Sequence, residues 1–200
     1  MPDFAFETSL GGHVAGIDEA GRGPWAGPVV AAAVILNPPK MPAELIAGLD
    51  DSKKLRKPIR EALYDHIMTG AAHGIGQASV EEIDSLNILQ ATMLAMRRAF
   101  ANLPHPAQFA IVDGNRDPGL GVPTHCLVGG DASSLSIAAA SILAKVTRDR
   151  IMEGLAREFP GYGWEKNAGY GTKLHQQGLV EHGVTPHHRR SFAPIKKLLK

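Results

Sequence analysis

The sequence predicts an α/β domain built on a mixed β-sheet. Short apolar segments bounded by glycine and proline alternate with helical segments, an order that separates the chain from helical bundles and all-β sandwiches. A chain of 200 residues with 44% hydrophobic and 20% charged residues fits one globular domain of ordinary size. We therefore expect a single domain over 1–200, with an N-terminal tail at 1–12 and a basic helical extension from about 165 to 200.

Five segments are typical of strands because they are short, rich in β-branched or small apolar residues, and end near glycine or proline. They are 13–18, 28–36, 73–80, 109–112 and 124–128. The first two are joined by the tight connection GRGPWAG. Three strands followed by a helix, two more strands and a long helix indicate a mixed sheet with helices on its faces.

Helical periodicity is clearest from position 87 onward. Its apolar residues recur at spacings of three and four: Leu89, Met93, Met96, Phe100 and Leu103. A second helix is predicted over 58–68, with proline at its start, and a long one from 134 to about 159. Because the first half of the long helix is small and apolar on every side, we expect it to be buried against the sheet. Shorter helices are predicted over 172–181 and 193–199.

The net charge of +1 hides an uneven distribution. The segment 165–200 carries seven Lys or Arg residues against two Asp or Glu, and a second basic cluster lies in the first half of the chain. That cluster consists of Lys53, Lys54, Arg56, Lys57 and Arg60. Such clusters are either solvated surface or a binding surface for a polyanion, and charge alone does not separate the two.

The remaining composition points to a protein of a reducing compartment. Cys126 is the single cysteine, which excludes an internal disulfide, and no apolar run reaches the length of a membrane span. The first residues lack the pattern of a signal peptide. We expect a cytoplasmic protein without membrane contact.

Four carboxylates occupy positions suited to chemistry: Asp18, Glu19, Asp113 and Asp131. Three of these positions are predicted strand ends next to glycine, where side chains meet at one edge of a sheet. Asp18 and Glu19 are adjacent, so a regular strand would direct them to opposite faces. Both can serve one site only if the strand breaks here, and we expect the segment Ala20-Gly21-Arg22-Gly23-Pro24 to supply that break. A site made of oxygen ligands favours Mg²⁺ or Mn²⁺ over zinc.

Simpler interpretations exist for each of these residues taken alone. Asp131 precedes a predicted helix and could be its N-terminal cap, and Asp113 could belong to a tight turn. The glycine pattern at 21–26 resembles a dinucleotide-binding loop, but no helix follows it and no acidic residue lies near position 40. His182, His187 and His188 could suggest a metal site, yet two arginines follow and no cysteine is near, which favours phosphate contact or exposure.

Six segments in order make the chain resemble the bacterial type 2 ribonucleases H, the ribonuclease HII family. The resemblance extends from position 13 to about 196. It is carried by GIDEAGRGPWAGPVVAAAVIL (16–36), DSKKL (51–55), VDGN (112–115), GGDASSLSIAAASILAKVTRD (129–149), GYGTKLH (169–175) and HRRSFAPIK (188–196). Two departures are Trp25, where a smaller aliphatic residue is usual, and Ser133, where lysine is common.

The resemblance implies a ribonuclease H-like fold, with a five-stranded mixed sheet flanked by helices and a C-terminal helical extension. It implies that the four carboxylates bind the metal and are the catalytic residues. Hydrolysis of a phosphodiester by two Mg²⁺ or Mn²⁺ ions leads us to expect Asp18 between the ions, Glu19 and Asp113 on one, and Asp131 on the other. The ribose and its junction with DNA would be recognised by Gly21, Arg22, Gly23 and Tyr170. Phosphates would be bound by Lys53, Lys145, Arg148, Arg189 and Arg190.

The activity implied is hydrolysis of the RNA strand of RNA–DNA hybrids and cutting 5′ of single ribonucleotides embedded in duplex DNA. The products would carry 5′-phosphate and 3′-hydroxyl ends, because an external water attacks rather than the 2′-hydroxyl of the substrate. We expect a monomer without an obligate protein partner. Two alternatives remain: another nuclease of the same fold, such as a Holliday-junction resolvase or transposase-like enzyme, and a non-catalytic module that binds hybrids.

Overall fold

The computed structural model describes residues 2–199 and shows one five-stranded mixed sheet. All five predicted strands are confirmed, with shifted ends. They are β1 (Val14–Ala20), β2 (Val29–Ile35), β3 (Ala72–Ala78), β4 (Phe109–Asp113) and β5 (Thr124–Leu127). The order across the sheet is β3-β2-β1-β4-β5, in which β1, β2 and β3 are antiparallel and β1, β4 and β5 are parallel.

The predicted helices are also present, together with four short ones that were not predicted. In chain order they are α1 (Ala5–Leu10), α2 (Ala43–Gly48), α3 (Lys57–Gly70), α4 (Val80–Leu86), α5 (Ile88–Ala101), α6 (Leu135–Glu158), α7 (Trp164–Asn167), α8 (Lys173–His182) and α9 (Ala193–Lys196). Single 3₁₀ turns occupy Pro38–Lys40, Gly130–Ala132 and Lys197–Leu199. Within residues 2–199, no helix has both the length and the apolarity needed to cross a membrane.

The core forms two layers because the sheet is apolar on both faces. Helix α6 covers one face, and Ala138, Ala139 and Ile142 on it are fully buried against β2. Helix α5 covers the other face through residues such as Met96 and Ala99. The expectation that the small, apolar first half of α6 packs tightly on the sheet is confirmed.

The expected N-terminal tail is instead an ordered part of the domain. Helix α1 places Glu7 in a buried position, where one carboxylate oxygen accepts hydrogen bonds from Ser134 Oγ at 2.7 Å and from the Ser136 amide at 3.0 Å. A further backbone pairing joins Asp3 to Ser134. The tail prediction was therefore wrong, since this segment braces the start of α6.

The C-terminal extension packs against the connection between β1 and β2. Backbone hydrogen bonds link the Trp25 amide to the Gly169 carbonyl at 2.8 Å and the Gly27 amide to the His187 carbonyl at 2.9 Å. Ala26 also pairs with His188 as an isolated bridge. This connection, the GRGPWAG segment, is thus held between the sheet and the end of the chain.

Candidate active site

The carboxylates meet at one edge of the sheet because β1 and β4 run parallel. In their register Ile17 pairs with Val112, so the next residues, Asp18 and Asp113, occupy neighbouring positions. The turn that carries Asp131 lies beside them, and the Gly130 amide donates to Asp113 Oδ1 at 2.8 Å. Three separate parts of the chain therefore bring their acidic residues to the same place.

A cleft of about 440 Å³ opens at this edge. It brings together most of the residues selected from the sequence. Among those lining it are Asp18, Glu19, Asp113, Gly21, Arg22, Gly23, Tyr170, Lys53 and Lys145. The fourth carboxylate, Asp131, stands next to the cleft, close enough for its charge to act on Asp18.

The strand ends at Ala20, one residue after Glu19, and the expected break follows at Gly21, whose φ is +98°. Pairing with β2 continues through Ala20 and Val30, so the two side chains do start on opposite faces. Both still line the cleft because it lies at the end of the strand. The Glu19 carboxylate is held there by Arg22, whose guanidinium lies 3.1 Å from Glu19 Oε1.

Burial and mutual repulsion raise the pKa values of the acidic residues. The pKa of Asp18 is raised well above its ordinary value, first by burial and then by the negative charges of Glu19 and Asp113. Burial also raises the pKa of Glu19, although the guanidinium of Arg22 opposes the shift. The site therefore holds more negative charge than its surroundings compensate.

Asp131 has a neighbour that was not selected from the sequence. Burial raises its pKa, and Asp51 adds repulsion and a side-chain hydrogen bond. Lys53 Nζ lies 3.7 Å from Asp131 Oδ2 and partly offsets this charge. Asp51 belongs to the DSKKL segment, in which the sequence predicted a site residue at Lys53 but not at Asp51.

The side chains at this edge are of a type that binds divalent metals, although they do not form a closed ligand shell. Across residues 2–199, no three His, Cys, Asp or Glu side chains are close enough to enclose a metal ion. The converging groups are all carboxylates, the ligands that Mg²⁺ and Mn²⁺ prefer. A cation bound among them would also offset the repulsion that raises the pKa of Asp18.

Arg189 does not lie where a phosphate contact would require. The residue is 0% exposed, and its guanidinium donates to the carbonyls of Gly21, Arg22, Gly27 and Pro28. Burial, followed by the charge of Arg148, lowers its pKa to about 9. The phosphate-binding prediction for this residue was wrong, because its donors are used inside the protein to hold the β1–β2 connection.

Arg148 behaves in the same way. It is 2% exposed and donates to the carbonyls of Ala26, Pro28 and Ala168 at 2.9–3.0 Å, and burial lowers its pKa to about 10. A Cβ atom at Gly21, whose φ is +98°, would come within 1.9 Å of Arg148 Nε. Arg148 is therefore also a brace, and it requires glycine at position 21.

The brace decides which backbone groups of the Gly21-Arg22-Gly23 loop are available. The carbonyls of Gly21 and Arg22 face Arg189. Residues 2–199 contain no cis peptide bond, so the N–H of each peptide points opposite to its carbonyl. The amides of Arg22 and Gly23 therefore point away from Arg189.

Tyr170 stands across from this loop. It is 49% exposed, and a Cβ at Gly23 would lie 3.4 Å from the Cε1 atom of its ring. An exposed aromatic ring beside a bare backbone gives a flat surface at the cleft. The structure thus places Gly23 and Tyr170 side by side on the wall of one cleft.

The other cationic residues differ in their availability. The side chain of Lys53 is 76% exposed at the cleft, whereas Lys145 binds Asp149 at 2.7 Å and is 27% exposed. Arg190 has an exposed side chain, and its backbone amide donates to Asp84. Arg190 and the largely exposed Lys53 are thus accessible to phosphates, although Lys53 also lies 3.7 Å from Asp131, and Lys145 can bind a phosphate only in competition with Asp149.

Comparisons with known proteins identify the family of the chain. The family model of Ribonuclease HII matches residues 15–195. A ribonuclease HII of Paramagnetospirillum magneticum is 60% identical over 199 residues, covering 100% of this chain and 99% of that relative.

Solved structures confirm the ribonuclease H-like fold. The ribonuclease H2 from Pyrococcus horikoshii OT3 matches with a TM-score of 0.77 and 27% identity over 94% of this chain and 97% of its own. A Bst-RNase HIII in complex with Mn²⁺ matches at a TM-score of 0.76, with 22% identity over 94% of this chain and 69% of its own, which supports the fold alone. Since the family model spans nearly all of the chain, this protein belongs to the ribonuclease HII family.

Proposed function

We propose that this protein hydrolyses the RNA strand of RNA–DNA hybrids and cuts on the 5′ side of single ribonucleotides in duplex DNA, leaving 5′-phosphate and 3′-hydroxyl ends. Family membership makes it a metal-dependent ribonuclease, a hydrolase. One observation carries the finer proposal: a single cleft joins the carboxylate cluster to the Gly21-Arg22-Gly23 loop and Tyr170. Reaction and ribose recognition would then take place side by side.

The carboxylates would hold two Mg²⁺ or Mn²⁺ ions. Asp18 feels the charges of Glu19, Asp113 and Asp131 together, so it would contact both ions, with Glu19 and Asp113 on one and Asp131 on the other. Bound ions would lower the pKa of the attacking water and stabilise the charge on the leaving oxygen.

Recognition of RNA would rest on the backbone of the loop. The N–H groups of Arg22 and Gly23 point away from Arg189 and are donors suited to the oxygen of a 2′-hydroxyl. Because Arg189 and Arg148 fix the loop from behind, these donors are held in place before substrate arrives. Tyr170 would pack on the neighbouring deoxyribose, where the absence of a 2′-hydroxyl leaves an apolar face.

Binding strength would come from phosphate contacts of Lys53 and Arg190, with Lys145 contributing when it leaves Asp149. Such contacts give affinity without sequence preference. A cleft complete within one chain is compatible with a working monomer without an obligate protein partner, and the free cysteine, Cys126, is compatible with the cytoplasm. Gel filtration with light scattering would detect a dimer.

The test is cleavage of three matched duplexes: one with a single ribonucleotide, one with a long RNA–DNA hybrid and one all-DNA. We expect the first two to be cut in Mg²⁺ or Mn²⁺, the third to be left intact, and EDTA to stop both reactions. Cutting of the all-DNA duplex would favour a resolvase-like nuclease. Binding without cutting would favour a non-catalytic module.

Two variants of one residue test the role of the ring. Tyr170→Ala is expected to impair the cut beside the single ribonucleotide while leaving the melting temperature nearly unchanged, because the ring is half exposed. Tyr170→Phe keeps the flat surface and serves as the control. A folded Tyr170→Ala enzyme that cuts at the wild-type rate would exclude a role at the junction.

A further inference from the structure

Two histidines lie in contact behind the loop that carries Tyr170. His175 and His188 are both fully buried, and their Nε2 atoms are 3.0 Å apart. The sequence favoured phosphate contact or exposure for His188, and its burial contradicts both. Two neutral imidazoles can form this bond only if one Nε2 carries a proton and the other does not.

The surroundings of His175 fix where its proton lies. The indole Nε1–H of Trp164, which can only donate, points at His175 Nε2 at 3.2 Å. His175 Nε2 is therefore the acceptor, and the proton is on Nδ1. That Nδ1 lies 3.0 Å from the carbonyl oxygen of Tyr170, which can only accept. Both neighbours select the same tautomer.

The surroundings of His188 fix the second half of the pair. The backbone N–H of Thr185 donates to His188 Nδ1 at 2.9 Å, so the proton of His188 is on Nε2. It points at the unprotonated Nε2 of His175, where it shares the lone pair with Trp164. Hydrogen bonds thus run in one direction, from Thr185 through His188 and His175 to Tyr170.

Electrostatics agree with two neutral rings. Burial lowers the pKa of His175, and burial together with the neighbouring His175 lowers the pKa of His188 to about 4. A second proton on either ring would place two donors against each other, at the Thr185 amide or at the Trp164 indole. The pair is therefore built to stay neutral.

We propose that His175 is a positioning residue for Tyr170, and that Trp164 and His188 hold it in the tautomer whose Nδ1–H binds the Tyr170 carbonyl. This inference rests on the proposed role of Tyr170 at the ribonucleotide junction. The Thr172 amide also donates to the same carbonyl, at 2.8 Å. Two donors converging on one oxygen fix the peptide from which the exposed ring projects.

A matched pair of substitutions separates the donor from the packing. The amide nitrogen of asparagine can occupy the place of Nδ1, whereas that of glutamine extends toward the place of Nε2. His175→Asn therefore keeps a donor for Tyr170, and His175→Gln loses it. We expect kcat/KM on the single-ribonucleotide duplex to fall about tenfold in His175→Gln and less than about threefold in His175→Asn. The long hybrid should change less than about threefold with either enzyme.

A double variant tests whether the effect passes through Tyr170. If it does, adding His175→Gln to Tyr170→Ala should cause no further loss, because the group being positioned is already absent. Additive losses would overturn the proposal, as would equal losses in the asparagine and glutamine variants. If Tyr170→Ala alone is harmless, the proposed function of Tyr170 fails, and the positioning role fails with it. If only His175→Gln is harmless, the positioning role alone fails.

The tautomers can be measured in the wild-type protein without any substitution. Long-range ¹H–¹⁵N correlation spectra of histidine-labelled protein distinguish protonated from unprotonated ring nitrogens. We expect His175 protonated on Nδ1 and His188 on Nε2 at neutral pH. The opposite tautomer at His175, or a charged ring at either position, would overturn the proposal even if every variant failed to fold.

Discussion

Replacing Arg189 by lysine tests whether the loop is braced from inside the protein. Arginine at this position spans four carbonyl oxygens with a planar fork, on Gly21, Arg22, Gly27 and Pro28. A lysine ammonium carries the same charge at a single point, so it cannot reach both ends of that set. The positive charge would stay buried, but some of the carbonyl oxygens that stabilise it in the wild type would no longer bond to it.

The expected loss follows from the number of bonds broken. Hydrogen bonds to a charged group contribute about 1.5–3 kcal/mol each, so the loss of two of the four lowers the unfolding free energy by about 3–6 kcal/mol. The loop carbonyls released from Arg189 would also allow the amides of Arg22 and Gly23 to turn. We therefore expect weaker discrimination between ribonucleotide-containing and all-DNA duplexes at temperatures where the variant is still folded.

The assay pairs urea unfolding with cleavage of the two duplexes, and Arg190→Lys is the matched control. It is the same substitution one residue further on, at an exposed side chain, and should change stability by less than about 0.5 kcal/mol. If Arg189→Lys were as stable as this control, the brace would be refuted.

Three further predictions concern the cluster, the surface and the buried histidines. Asp113→Asn should abolish cleavage and leave hybrid binding nearly intact, because it removes a carboxylate from the cluster without touching the exposed cations. Cleavage assays measure the activity and gel-shift assays measure the binding. Activity within about tenfold of wild type would show that Asp113 is not part of the site. Lys53→Gln should reduce the slope of log affinity against log salt concentration by about one unit. The control is Arg157→Gln, which changes an exposed arginine outside the cleft and should leave the slope unchanged. Equal slopes for the two variants would show that Lys53 does not contact a phosphate. The pKa of His188 is about 4 in the folded protein, below its ordinary value of 6.5. Between these two pH values the unfolded chain binds a proton at His188 and the folded protein does not. The unfolding free energy therefore falls as the pH drops from 6.5 to about 4. Urea unfolding between pH 7 and pH 4 should show about 3 kcal/mol of acid destabilisation in wild type that His188→Gln lacks, and an identical pH dependence would mean that His188 is not buried as a neutral ring.

The strands and long helices were predictable because their signals are local. Alternation, glycine and proline boundaries, and the period of α5 located these elements to within a few residues. The third strand was extended to position 80 in error, because Ser79 and Glu82 form a capping box that begins α4. That S-x-x-E pattern was visible in the sequence and was overlooked. Helix α1 had no comparable signal, since what holds it is the contact of Glu7 with α6.

The acidic residues could be selected from sequence, and the arginines could not be assigned correctly. Asp18 and Asp113 end predicted strands, and parallel pairing of those strands is enough to bring them together. Arg148 and Arg189 lie in basic segments, where exposure is the ordinary expectation for arginine. Their burial depends on carbonyl groups that are turned inward by a connection more than a hundred residues away in sequence. No local pattern carries that information.

On the proposed function, the basic C-terminal extension would contribute to recognition through its buried side chains rather than through its surface charge. A loop that reads a 2′-hydroxyl with its own amides must turn its carbonyls inward, and buried carbonyls need donors. Arg189 from the extension donates to the Gly21 and Arg22 carbonyls, and Arg148 from α6 donates to carbonyls of the same β1–β2 connection, at Ala26 and Pro28. His188, next to Arg189 in sequence, orients the residue that holds Tyr170. One short segment thus supports both the Gly21-Arg22-Gly23 loop and Tyr170. On the proposed function, a change within 188–189 should therefore disturb ribose selection without altering any group that contacts the substrate.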